Sequence, residues 1–506
     1  MTMRESGVLM HITSLPGKYG VGTMGQSAYN FIDFLKEAGQ SQWQILPLTP
    51  TGYGNSPYQS NSTFAGNPYL IDMEMLVQEG LLTQEELDAV QWSSDDERVD
   101  FGALYHSKLD ILRMAFKRHG HTDEFARFKA RNDWWLPGFA AYMVLKEHFS
   151  GRPWYEWPDE LKHRRVSVID AAVKYAGYEG YQFHCFVQYL FFKQWEALRA
   201  YAHEKGISII GDVPIYVPLD SVDVWSDPEL FQLDAQLNPT DVAGVPPDGF
   251  TADGQLWGNP LYRWDVHKKD GYSWWLRRME AAGKLYDIVR FDHFRGLESY
   301  WAVPYGDATA RNGKWVKGPG IDLINAIKKG LPHLRLIAED LGYLTDEVLA
   351  MRDGACFPGM KILQFAFDSR EPSDYLPHSY TTNTVCYTGT HDNMTMRQWF
   401  DTCSAEAKAY AAAYMNLSQR EGFVWGAIRT AMGSVSDLCI IPMQDYLNLG
   451  AEARMNFPGT LSDSNWTWRA KDGIITKDLA QKIRGLTALY RRLGNQIEAD
   501  SENETV

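Results

Sequence analysis

The chain has 506 residues, 45% of them apolar, and a formal net charge of −15. No apolar run approaches the roughly 20 residues of a membrane-spanning helix, and the length allows one large core. An acidic balance without a compensating Lys/Arg cluster excludes the usual binders of nucleic acid and anionic membrane.

In chain order, eight short apolar runs read as strands: 8–13, 41–48, 207–215, 288–294, 336–342, 360–367, 384–391 and 438–444. Amphipathic helical patterns separate most of them, at 25–39, 181–204, 272–284, 321–329, 344–353, 404–432 and 477–495. Nearly continuous apolar strands alternating with helices predict a parallel sheet buried on both faces, and eight such units close into a (β/α)8 TIM barrel of the α/β class. A doubly wound open sheet is the alternative, weakened because no Gly-rich nucleotide loop follows the first strand. The barrel is expected from residues 1–71 and 179–506. Residues 72–178 should form a large, mostly helical insertion between strands two and three, with a capping box at Thr83–Glu86 and tryptophans at 134–135 and 154–157. Residues 216–270, rich in Asp, Pro and Gly, should form a long loop over the active face between strands three and four.

Four strands end in a carboxylate. Arg290 stands two places before Asp292, and alternate residues of a strand point the same way, so both should face one site. Glu339 ends strand five, Asp392 strand seven and Asp212 strand three. In a barrel these ends share one rim, where active sites are built. A lone aspartate after a strand is usually a turn former or helix cap. Four on one rim, beside Arg290 and His391, point instead to acid/base and nucleophilic chemistry on a sugar. Asp292 is the nucleophile candidate, with Arg290 favouring its charged form. Glu339, behind Leu336, Ile337 and Ala338, is the general acid/base candidate, since a less polar setting raises a carboxyl pKa. Asp392 would hydrogen-bond sugar hydroxyls with His391 as a second donor, and Asp340 should face away. Metal binding by His391, His293 or His11 lacks any ligand spacing, so neither metal nor cofactor is expected. The 18 Trp, 27 Tyr and 23 Phe are mostly core; their excess in turn-rich segments suits the flat C–H faces of sugars. Five scattered cysteines and an N-terminus without signal-peptide regions predict reduced thiols in the cytoplasm.

The motifs Gly7-Val8-Leu9, Thr13-Ser14-Leu15-Pro16, Trp43-Gln44-Ile45-Leu46-Pro47-Leu48, Gly52-Tyr53-Gly54-Asn55-Ser56-Pro57-Tyr58, Gly211-Asp212-Val213-Pro214, Gly244-Val245-Pro246-Pro247-Asp248 and Gly254-Gln255-Leu256-Trp257-Gly258-Asn259-Pro260 join the catalytic runs. Together they resemble the 4-α-glucanotransferases (amylomaltase or disproportionating enzyme) of glycoside hydrolase family 77, relatives of the α-amylases, over essentially the whole chain. That resemblance implies a retaining enzyme moving α-1,4-glucan segments between maltooligosaccharides, with glucose also an acceptor. It makes Asp292 the nucleophile, Glu339 the acid/base and Asp392 the transition-state stabiliser. It also implies substrate contacts at Ser56, Tyr58, Asp212, Asp248, Gln255, Trp257, Arg290, His391, Asp368 and Asn456. A remote glucan site would use Tyr53 and Phe101, the second a position where relatives also carry tyrosine. No C-terminal β-sandwich is expected. Within the long loop, Phe250 and Gly254 are expected to shelter the intermediate from water and position the acceptor. An α-glucan hydrolase and a glucan-binding protein without chemistry are the competing readings.

Overall fold

A computed structural model describes residues 4–165, 167–247, 251–342, 344–368 and 373–493. Twelve strands occur among them: β1 (Glu5–Leu9), β2 (Gln42–Gln44), β3 (Ser208–Val213), β4 (Asp241–Val245), β5 (Gln255–Pro260), β6 (Ile288–Phe291), β7 (Ser299–Pro304), β8 (Lys314–Lys317), β9 (Arg335–Ala338), β10 (Gly359–Ile362), β11 (Thr384–Tyr387) and β12 (Leu438–Pro442). Eight of them close a parallel barrel in the order β1-β12-β11-β10-β9-β6-β3-β2. Each expected strand run contains, or overlaps, one barrel strand, so the fold is a (β/α)8 TIM barrel. Closure depends on small residues where the interior is crowded. A Cβ on Gly7 would lie 2.4 Å from the Gln42 carbonyl oxygen and 2.8 Å from Ile440 Cδ1. In β2 the alternation is polar-in and apolar-out. Gln44 accepts a hydrogen bond from the Tyr387 hydroxyl at 2.9 Å, while the Trp43 ring packs on Phe31 of the helix Gln26–Glu37.

Between β2 and β3 the chain is mostly helical, including Phe101–His119, Leu136–His148, Val168–Ala176 and the 27-residue Tyr178–Glu204. Thr83 and Glu86 form the capping box. Trp135, Trp154 and Trp157 are buried and Trp134 is half exposed, so these rings serve chiefly the core.

Two expectations need correction. The segment 216–270 is not loop throughout. It contributes β4 and β5, which join β7 and β8 in a four-stranded sheet ordered β5-β4-β7-β8, with Val242, Val303 and Ala310 as its own small core. The β4–β5 pairing is antiparallel and shifted in register between Val242 and Gly244, which obscures the two-residue alternation that marks a strand. The pattern at 404–432 is two helices, Ala405–Tyr414 and Phe423–Gly433, because Asn416 (φ 50°) and Gly422 (φ 86°) turn the chain left-handed between them. Among the described residues no helix is long and apolar enough to cross a membrane.

Candidate active site

Barrel register assembles the first part of the site. β3 and β6 pair so that Asp212 lies beside Arg290, and Asp292 follows β6 with its side chain on the same side as Arg290. The buried Arg290 donates through Nη1 to Asp212 Oδ2 at 2.6 Å and to Asp292 Oδ1 at 2.9 Å. Burial opposes the guanidinium charge, but the two carboxylates outweigh it and hold its pKa well above the ordinary value. Burial pushes the Asp212 carboxyl up to about 6 against the pull of Arg290, which leaves it ionised at neutral pH. Its Oδ2 also accepts the Tyr58 hydroxyl at 2.8 Å.

Glu339 follows β9, the neighbour of β6. Burial raises its pKa to about 8; Arg290 opposes that rise, Asp292 adds to it, and two backbone N–H groups oppose it. Those donors are His293, to Oε2 at 2.7 Å, and Leu341, to Oε1 at 3.1 Å. Glu339 therefore keeps a proton at neutral pH, as a general acid must. His293 holds a left-handed backbone (φ 51°), uncommon for a side chain with a Cβ, and this conformation aims its N–H at Glu339. Its ring meets Trp257 edge-on, 4.8 Å between centroids. Burial lowers its pKa to about 4, so the imidazole is neutral at neutral pH.

The third carboxylate, Asp392, follows β11. His391 Nε2 lies 3.3 Å from its Oδ2, and Asn456 donates to Oδ1 at 2.6 Å. Burial would raise the Asp392 pKa, but His391, Asn456 and Arg290 hold it well below the usual carboxylate range. Arg454 donates to the Asp392 carbonyl at 3.0 Å and to the Asn456 carbonyl at 2.8 Å, with its guanidinium 4.0 Å above the Phe457 ring. The Tyr58 hydroxyl closes the set, 2.9 Å from His391 Nε2, with the two rings stacked at 5.2 Å. One hydrogen-bonded network thus connects Asp292, Arg290, Asp212, Tyr58, His391, Asp392 and Asn456. Asp340 faces away, bonded to Arg352 and the Met360 amide.

The remaining sequence-derived positions are less concentrated. Ser56 Oγ accepts the Tyr58 amide at 3.2 Å and so shapes the turn carrying that tyrosine. Gln255 opens β5 and accepts the Trp257 indole N–H at 3.2 Å. Gly254 has φ 66°, and a Cβ there would lie 2.4 Å from the Val245 carbonyl oxygen, so the β4–β5 turn requires glycine. Asp368 is exposed after the turn Leu363–Phe367. Asp248, Phe250 and the Tyr53 side chain lie outside the described residues. Phe101 is 6% exposed and packs on Tyr69, leaving little of its ring at the surface. Among the described residues no three His, Cys, Asp or Glu side chains gather as metal ligands. Two residues that bond to the site carboxylate positions carry no such role in the sequence reading: Arg454, and His293, which appears there only as a metal ligand. The sole sequence signal for either is that histidine is enriched among residues that tolerate a left-handed backbone.

The sequence profile described as 4-alpha-glucanotransferase, glycoside hydrolase family 77, matches residues 10–476. The chain belongs to that family. It is 49% identical over 489 residues to the 4-alpha-glucanotransferase of Clostridium butyricum, covering 96% of this chain and 100% of that one. Identity to the 4-alpha-glucanotransferase of Streptococcus pneumoniae is 47% over 502 residues, covering 98% and 99%. Among solved structures, the amylomaltase from Streptococcus agalactiae in complex with acarbose superposes with a TM-score of 0.93 at 43% identity, over 97% of this chain and 99% of that one. The family is one of 4-alpha-glucanotransferases, and the fold is the one the Streptococcus agalactiae amylomaltase also has.

Proposed function

We propose that this enzyme disproportionates α-1,4-glucans by a retaining double displacement. The observation that carries the reading is the placement of Glu339 beside Asp292 and Arg290 on adjoining strand ends, where burial raises the Glu339 pKa. An Asp292 oxygen attacks the anomeric carbon and forms a glycosyl ester. The glycosidic bond breaks, and Glu339 gives its proton to the leaving 4-oxygen. The 4-hydroxyl of an acceptor glucan, or of glucose, then returns a proton to Glu339 and attacks the same carbon, releasing Asp292. Retention requires the two reacting carboxyls to stand about 5–5.5 Å apart; the 2.7 Å bond from the amide next to Asp292 to Glu339 Oε2 favours that closeness. Asp392 stabilises the oxocarbenium-like transition state, with His391 and Arg290 on the same sugar. Tyr58, Asp212, Ser56, Gln255, Trp257, Asn456, Asp248 and Asp368 bind the flanking units. The loop 249–257 is the candidate shelter of the intermediate, with Phe250 in the role of excluding water. Residues 72–178 act as a helical subdomain forming one wall of the site. The bacterial relatives fit a cytoplasmic enzyme.

Incubation with pure maltotriose tests the reaction. Glucose and longer maltodextrins should form at a constant number of reducing ends. A rising number without longer products would make the enzyme a hydrolase instead.

A further inference from the structure

Away from the barrel mouth, the helices Phe101–His119, Leu136–His148, Val168–Ala176 and Tyr178–Glu204 enclose a cleft of about 450 Å³. This lies within the roughly 300–1,000 Å³ typical of small-molecule sites. Gly180 lets two of its walls meet, since a Cβ there would come 2.8 Å from Val144 Cγ2. The cleft contains a pre-set donor. Arg113 is fixed by a 2.6 Å ion pair with Glu147 and by the Phe183 ring 4.1 Å beneath its guanidinium. A guanidinium has five N–H donors, and one bond to Glu147 leaves others for the cleft. Glu147 also lies 3.2 Å from the buried His184 Nε2. The partly buried rings of Phe116 and Tyr175 offer apolar surface, and Lys117 and Glu179 stand exposed at the rim.

The charges identify the ligand class. Arg113 is paired with Glu147, and Lys117 and Glu179 match in number at the rim, with His148 and Tyr175 the remaining titratable groups, so no strong net charge selects an anion or a cation. Fixed donors, carboxylate acceptors and aromatic surface together suit a neutral, hydroxyl-rich molecule with flat C–H faces. We propose that this cleft is a second carbohydrate site, taking a short α-glucan away from the reacting carboxylates. The glucan identity rests on the function proposed above.

Calorimetric titration with maltoheptaose tests the site in the full-length chain, with Glu339→Gln as background so that the sugar is not turned over. The background protein should bind at the active site and at the cleft. Tyr175→Ala, and separately the exposed pair Lys117→Ala with Glu179→Ala, should weaken one binding event by about tenfold or more and leave the other unchanged. In the otherwise native enzyme the same changes should leave maltotriose turnover as it was. Hydrogen exchange in Phe101–His119 and Leu136–His148 should slow on adding maltoheptaose in the background protein and not in Tyr175→Ala. Binding events and exchange that are identical with and without the cleft substitutions would overturn the proposal while leaving the catalytic reading intact. Absence of all maltoheptaose binding would overturn the catalytic reading, and this proposal with it.

Discussion

Asp292 is held by one guanidinium that also serves Asp212, so its carboxylate orientation depends on a shared donor. Asp292→Asn should abolish the covalent intermediate and cost at least roughly a thousandfold in kcat, with the fold kept by circular dichroism. A trapped glycosyl-enzyme in that variant would reassign the nucleophile. Glu339 gives a pH prediction. With its pKa raised to about 8, kcat/KM should fall as pH rises through that value. The same shift has a sign in stability. A raised folded pKa favours folding fully below the unfolded value near 4.5, and the benefit is lost as pH climbs through about 8. Glu339→Gln should therefore raise Tm relative to the parent at pH 8.5 and hardly at all at pH 4, measured by calorimetry at both. Arg454 is a positioning residue, holding the Asp392 backbone and the Asn456 segment together. Arg454→Ala should lower kcat roughly 10- to 100-fold with little change in KM, because the group it positions acts in the transition state. Lysine should restore only part of it, lacking the planar fork that makes both bonds above Phe457.

At the scale of elements, the β4–β5 hairpin carries Gln255 and Trp257, both proposed above to bind the glucan, in the sheet beside the barrel. Its turn has room only for glycine at 254. Gly254→Val would add a side chain at φ 66° and 2.4 Å from the Val245 carbonyl oxygen. The expected cost is roughly 1–3 kcal/mol, read from urea unfolding. If the hairpin carries the cover over the intermediate, reducing ends should also rise relative to transfer products. A destabilised variant with an unchanged product ratio would separate hairpin integrity from water exclusion.

For the whole molecule, closing a barrel requires its first and last strands to meet, and buried polar groups stitch that seam. β1 pairs with β12 from Glu5–Leu438 to Leu9–Pro442. Arg492, fully buried, donates to the carbonyls of Met432, Glu5, Ser434 and Ser436. It follows the helix Lys477–Leu489, which stops short of the expected 495 where Arg491 turns left-handed (φ 52°). Arg492→Ala would leave several carbonyls unpaired in the core. A loss on the order of 3 kcal/mol in chemical unfolding is expected, with active-site geometry unchanged at low temperature.

The sequence by itself determined the barrel and placed three candidate carboxylates after its strands. Strand-length apolar runs alternate with helical patterns as parallel βαβ units do, and Asp292 and Glu339 come directly after their strands, with Asp392 five residues after its own. The Arg290-x-Asp292 spacing was legible because side chains alternate along a strand. What only the tertiary structure decided depends on neighbours remote in the chain. Asp212 meets Arg290 through register, and Tyr58 reaches His391 across 333 residues. The antiparallel sheet of β4, β5, β7 and β8 escaped because a register shift breaks the local period, and the split at 404–432 because left-handed residues interrupt a helical pattern without proline. The proton on Glu339 is likewise a tertiary property. The apolar residues before Glu339 announce a raised pKa, but its size comes from burial within the barrel, and the left-handed His293 that donates to its carboxyl comes from another strand end.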